Sequence, residues 1–282
     1  MLLEAIDEQD FLDCSDGFRP GRSPHEARHA VRERCMQEGI GGIVDADVSG
    51  YFDSIDRTRL REVLRQRVYE GSLVRLIGKW RRAGVMDHGV LTHPETGVVQ
   101  GGGISPILAT IFLHQVLDEW FEREVQPRLK GRSFLTRFAD DFVIGCEREA
   151  DAQQIMGVLP KRFARFGLRI YPTKTTVVGF RKPKASQASA HGHGTVECLG
   201  FTHDWARTRR GLWGIKRRTA RKRLRRTQTA LWQWCRHHRH APLPDQYRML
   251  CVKLRGHFRY DGIRGNFPLL ENVRRYAEKA WR

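Results

Sequence analysis

Phe138-Ala139-Asp140-Asp141 is the stretch that most constrains what this chain can fold into. Phe134-Leu135 precede the two acids and Phe142-Val143-Ile144 follow them, so the segment reads as strand, tight turn, strand, with the carboxylates at the tip. A packed core does not favour two neighbouring negative charges there. At about 4 Å they repel by roughly 1 kcal/mol in water and by several times that near a protein surface. Divalent cations relieve such repulsion, and Mg²⁺ takes carboxylate oxygens together with substrate phosphates. The tip predicts a metal site. A metal site of this kind predicts phosphoryl transfer, in which paired ions hold the attacking and leaving oxygens.

A third acid extends the pattern. The run from Gly41 to Gly50 reads as another strand, in which Asp45 and Asp47 point to one face and Val44, Ala46 and Val48 to the other. Asp47 lies near the strand end, just before Ser49-Gly50. Taken singly, each of these acids reads as a turn or cap residue. A strand-end Asp47 facing the Asp140-Asp141 tip across a sheet would instead make a cluster of three carboxylates.

Charge narrows the partners. Lys and Arg number 50 against 32 acids, a net charge of +18, for which a polyanion such as nucleic acid is the natural counterpart. The six cysteines show no paired spacing and read as free thiols of a reducing compartment. Glu4, Asp7, Glu8 and Asp10 follow a short apolar start, which does not read as a signal peptide, and no apolar run is long enough to span a membrane. The expected location is the cytoplasm.

Periodicity sketches an α+β chain. Helices are predicted over 24–38, from about Arg57, from Ser105-Pro106, and over 149–166. Strands are predicted over 42–48, 134–145 as a hairpin, 168–171 and 176–180. The Gly-rich 84–103 reads as hairpin and loop, 181–195 as a linker or hairpin tip, and 216 onward as helical and strongly basic. Around Trp232 and Trp234 cations alternate with aromatics, the composition of a nucleic-acid track.

The chain resembles the reverse transcriptases encoded by bacterial group II introns, the intron maturase family. The likeness is carried, in order, by Asp16-Gly17-Phe18-Arg19-Pro20-Gly21-Arg22-Ser23, Asp47-Val48-Ser49-Gly50-Tyr51-Phe52-Asp53, Gln100-Gly101-Gly102-Gly103-Ile104-Ser105-Pro106 and Phe138-Ala139-Asp140-Asp141. Gly167-Leu168 through Lys174-Thr175, Leu199-Gly200-Phe201, and Leu254-Arg255-Gly256-His257-Phe258-Arg259-Tyr260 continue it.

The resemblance implies an RNA-directed DNA polymerase with a right-hand palm and partial fingers over 1–205, then a basic helical thumb and partial maturase region over 206–282. Asp47, Asp140 and Asp141 would be the catalytic residues and the ligands of two Mg²⁺ ions, for which Mn²⁺ can substitute. Phe52 would exclude a 2′-hydroxyl from the incoming sugar, Gln100 would hydrogen-bond the nucleotide, and Arg19 would lie by the triphosphate. Lys174 would lie by the leaving pyrophosphate, although alone it reads as a surface cation. Leu199-Gly200-Phe201 would grip the primer. The implied partners are an RNA template and primer, group II intron RNA and dNTPs, with no membrane. The segment ahead of Phe18 is short for this family, which implies completion by an upstream fingers fragment or by a homodimer partner. It also leaves a second reading open: a catalytically inactive or split fragment acting as an RNA-binding, maturase-like protein.

Overall fold

The computed structural model describes residues 7–68, 70–82, 85–87, 90–92, 104–184, 186 and 194–282. The chain divides into two compact units, Met1–Lys182 and Pro183–Arg282.

In the first unit a four-stranded antiparallel sheet has the order β4-β5-β1-β6, built from β1 (Gly42–Asp47), β4 (Ser133–Phe138), β5 (Asp141–Cys146) and β6 (Thr176–Gly179). Helix α1 (Pro24–Gln37) starts where the sequence places it. Ser23 Oγ accepts from Glu26 N–H and donates to the Glu26 carboxylate, with Pro24 in the first turn. After β1 come a single turn, α2 (Tyr51–Ser54), then α3 (Arg57–Arg67), capped by Asp56, and α4 (Gly71–Arg82). Strands β2 (Val85–Asp87) and β3 (Val90–Thr92) form a separate ribbon.

Helix α5 (Ser105–Leu113) runs on through π-helical turns at His114–Asp118 and Phe121–Val125. Ser105 and every residue from Ile107 to Leu113 are buried, so α5 is an interior helix. Helix α6 (Glu149–Arg165) covers the same sheet face. Val44 and Ala46 of β1, Phe142 and Ile144 of β5, Phe112 of α5 and Phe163 of α6 share one core, with the Phe142 and Phe163 rings stacked at 5.9 Å.

The second unit joins a three-stranded antiparallel sheet, β7 (Val196–Cys198), β8 (Phe201–Arg207) and β9 (Trp213–Thr219), to helices α7 (Arg221–His237), α8 (Leu243–Asp261) and α9 (Phe267–Trp281). Leu231, Cys235, Leu250, Val273 and Ala277 form its helical core.

Two sequence expectations change. Residues 168–171 form no strand of the sheet; only Ile170 bridges to Val48. The helical region begins at Arg221 rather than 216, because Lys216–Thr219 finish β9, where cross-strand pairing with Phe201–Asp204 outweighs local composition. Most of 181–195 lies outside the described residues.

Candidate active site

Three acids meet at one end of the first sheet. In the β1–β5 ladder Asp47 lies directly opposite Asp141, so both side chains leave the same face, and Asp45 opposite Val143 follows two residues on. Asp140 occupies the two-residue turn between β4 and β5 with Ala139. All three acids are half-buried. Burial, and after it the charge of Asp47, push the Asp140 carboxyl above the usual carboxylate range.

The turn is held from three sides. Ala139 adopts φ 58°, a left-handed conformation that ordinarily favours glycine. The segment Cys14–Asp16 runs along β4, with Arg137 N–H on Cys14 O at 2.7 Å and Asp16 N–H on Arg137 O at 2.8 Å. Gly17 then presses on the turn: a Cβ there would sit 2.2 Å from Ala139 N. Beneath lies Arg137, fully buried. Its guanidinium donates to both carboxylate oxygens of the equally buried Asp118, to Ser15 Oγ at 2.7 Å and to Ala139 O at 3.0 Å. The Arg137 charge, above all, holds the Asp118 carboxyl below the usual range against the opposing effect of burial.

Lys174 reaches the same place from the segment after α6. Tyr171 N–H bonds Asp47 O at 2.9 Å, anchoring a turn in which Thr175 N–H returns to Tyr171 O. That turn sets Lys174 Nζ 2.6 Å from Asp47 Oδ2 and 4.4 Å from the Tyr171 ring centre. The hydrogen bond and the charge of Asp47 push the Lys174 ammonium pKa up.

Phe52, in the first turn after β1, is half-buried against the edge of the core, its ring 5.6 Å from that of Tyr51. Asp47, Asp140, Asp141 and Lys174 thus belong to the junction of β1, β5 and the 171–175 turn, and Phe52 follows β1 in the next turn of chain. Gln100 lies outside the described residues.

Arg19 points elsewhere. It is buried, with Nε and Nη2 on Glu8, Nη1 on Leu12 O and Ser15 O, and its plane over Phe11. These bonds use four of the five guanidinium N–H donors, so most of the group is turned into the fold.

The donor set is all oxygen and suits a hard divalent cation in its chemistry. As the side chains stand, no group of three acidic, His or Cys residues closes around a metal position among the described residues, and the Lys174 ammonium lies on Asp47. Positive charge is drawn to this point.

Sequence reasoning missed Arg137 and Asp118. A cation inside the apolar run Phe134–Phe138 and an acid inside an apolar helix were the available signals, since each is rarely buried unless paired.

Known proteins share sequence and fold with this chain. The family described as reverse transcriptase (RNA-dependent DNA polymerase) matches residues 2–203. Protein YkfC of Escherichia coli strain K12 is 30% identical over 192 residues, 56% of this chain and 50% of YkfC. The group II intron-encoded protein LtrA of Lactococcus lactis subsp. cremoris is 34% identical over 136 residues, 46% of this chain and 22% of LtrA. The solved structure of apo telomerase from Candida tropicalis superposes with TM-score 0.54 at 12% identity, over 72% of this chain and 38% of that one. Telomerase from Candida albicans, solved with a TWJ fragment of telomeric RNA, gives TM-score 0.53 at 13% identity, over 99% and 50%. The aligned share of each relative is half its length or less. At such identities the structural likeness is one of fold, an α+β polymerase palm.

Proposed function

Because the chain belongs to the reverse transcriptase (RNA-dependent DNA polymerase) family and is similar to a group II intron-encoded protein, we propose that it extends a primer 3′-hydroxyl with deoxynucleotides on an RNA template. The observation that carries this reading is the β1–β5 register, which puts Asp47 opposite Asp141 with Asp140 at the adjoining tip. Asp47, Asp140 and Asp141 would hold two divalent ions, Mg²⁺ with Mn²⁺ able to substitute. Bound there, the ions would supply charge neutralisation at the transferring phosphate.

The chain's own groups supply the rest. Lys174, whose ammonium is favoured by its surroundings, carries its proton at Nζ beside Asp47 and would release it to the departing pyrophosphate. Phe52 would close the sugar pocket against a 2′-hydroxyl, and Gln100 would bond the incoming nucleotide. Arg19 is given a structural role, tying the N-terminal segment that buttresses the Asp140 turn. The fingers and palm are assigned to 1–205, with the Leu199-Gly200 turn gripping the primer end, and the thumb to 206–282. Leu199 and Gly200 both have positive φ, and a Cβ on Gly200 would lie 2.9 Å from Arg223 Cδ, so a close backbone approach is built into that turn. Intron RNA, an upstream fingers fragment or second copy, and a cytoplasmic location with its six thiols free complete the proposal.

Primer extension tests it. The chain, a DNA primer on an RNA template, dNTPs and Mg²⁺ should give extension that the Asp140→Ala/Asp141→Ala variant loses. The Lys174–Asp47 ion pair favours a second reading, in which the site is closed to metal and the chain only binds RNA. That reading predicts salt-sensitive RNA binding with no extension by either protein.

A further inference from the structure

Helices α3 (Arg57–Arg67) and α4 (Gly71–Arg82) meet in a groove of about 420 Å³, lined by Arg61, Arg65 and Arg75 over a floor of Val68 and Val74. Arg61 and Arg65 stand one turn apart on α3, and Arg75 faces them from α4. Like charges at this spacing destabilise a helix by a few tenths of a kcal/mol. Among the described residues none of the three has an acidic partner, and no acid lines the groove. The neighbouring acids are engaged elsewhere: Glu62 holds Arg59 at 3.2 Å and Glu70 accepts from the Ser72 hydroxyl at 2.8 Å.

We propose that this groove binds the phosphate backbone of an RNA segment outside the primer–template duplex. The fork-shaped donors of three guanidiniums match phosphate oxygens bidentately. Valines and glycines offer no stacking face and no side-chain hydrogen bond, so the contacts to a strand fall to the three guanidiniums, and phosphate oxygens are the acceptors that every nucleotide presents to them. Gly71 meets nothing within 4 Å where a Cβ would stand, which leaves room for the strand. Free dNTPs are disfavoured. They arrive as metal complexes, and the groove has no carboxylate to share the metal. None of Asp47, Phe52, Asp140, Asp141 or Lys174 lines it, so it is a separate site. The choice of RNA rests on the polymerase reading above; the phosphate chemistry does not.

The test uses the full chain and two triple variants, one with Gln and one with Lys at positions 61, 65 and 75 (Arg61→Gln with Arg65→Gln and Arg75→Gln, and the Lys equivalents). Binding of a long structured RNA is measured across a salt series, beside extension of a short saturating primer–template. The Gln variant should bind the long RNA about tenfold more weakly, and its log–log salt slope should fall by roughly two to three. The Lys variant should keep the slope, and Arg75→Gln alone should lower it by about one. Turnover on the short primer–template should be unchanged in all. An unaltered slope, displacement of the RNA by dNTPs at the groove, or an equal loss of turnover on the short substrate would overturn the proposal. Should even the unaltered chain fail to extend any primer, the polymerase reading falls while the salt slopes still decide the groove.

Discussion

Ala139 shows how much one residue's backbone carries. Its left-handed φ would be easier for glycine, and the turn keeps that shape because Gly17 packs against Ala139 N and Arg137 bonds Ala139 O. Gly17→Ala should displace the Asp140-Asp141 tip, lowering extension sharply, with a stability loss of about 1–3 kcal/mol from the forced overlap; steady-state extension and chemical denaturation measure the two effects. Lys174→Met should slow extension about a hundredfold, in the range for loss of a general acid, while leaving melting unchanged because the side chain is 55% exposed. Phe52→Ala should admit ribonucleotides, read as rNTP incorporation by the same assay. Asp47, Asp140 and Asp141 were legible in the sequence because acids at a strand end and a hairpin tip carry a pattern of alternation. Arg19 folds back on Glu8, a direction that a turn Arg does not show in sequence.

At the level of elements, the Arg137–Asp118 pair ties β4 to the π-helical continuation of α5. The extra residue in each π turn is a device often found near functional sites. Replacing Arg137 by Met leaves the buried Asp118 carboxylate with only His114 Nδ1 beside it at 3.5 Å, and should cost about 3 kcal/mol in denaturant unfolding. In the second unit Asp261 plays the same part. It accepts from Thr219 Oγ1 at 2.9 Å and pairs with His257 and Arg223, which joins β9 to α8. Burial alone would raise its pKa, but His257, Arg223 and Thr219 together hold it below the usual range. A carboxyl depressed in the folded state stabilises above its unfolded pKa of about 3.9 and loses that stabilisation as pH falls through the folded value. Unfolding followed from pH 5 to pH 2 should show this loss, and Asp261→Asn should flatten it. The sequence analysis read neither pairing: Asp118 and Arg137 are 19 residues apart, and Thr219 and Asp261 are 42 apart.

On the scale of the whole chain, the net charge of +18 is the property with the broadest consequence. Binding to RNA should be dominated by released counterions. With six or more phosphate contacts, affinity should fall by roughly a thousandfold between 50 and 200 mM salt, whatever the sequence of the RNA. A flat salt dependence in a filter-binding series would show that the charge is merely solvated. No described helix is long and apolar enough to cross a membrane. The sequence by itself determined the α+β class, the starts of α1 and α3, the acidic hairpin and the excess of positive charge, because each is written in local periodicity, turn chemistry or summed charge. Only the tertiary structure decided that Asp47 stands opposite Asp141, that Lys174 reaches Asp47 across 127 residues of chain, that Arg19 turns inward, and that Arg61, Arg65 and Arg75 share one groove. Those are matters of strand register and of which helix faces meet. Asp47, Asp141 and Lys174 share no short window of the chain; Arg19 and the three groove arginines have their neighbours close by in sequence, and the packing of the fold decides which way they face.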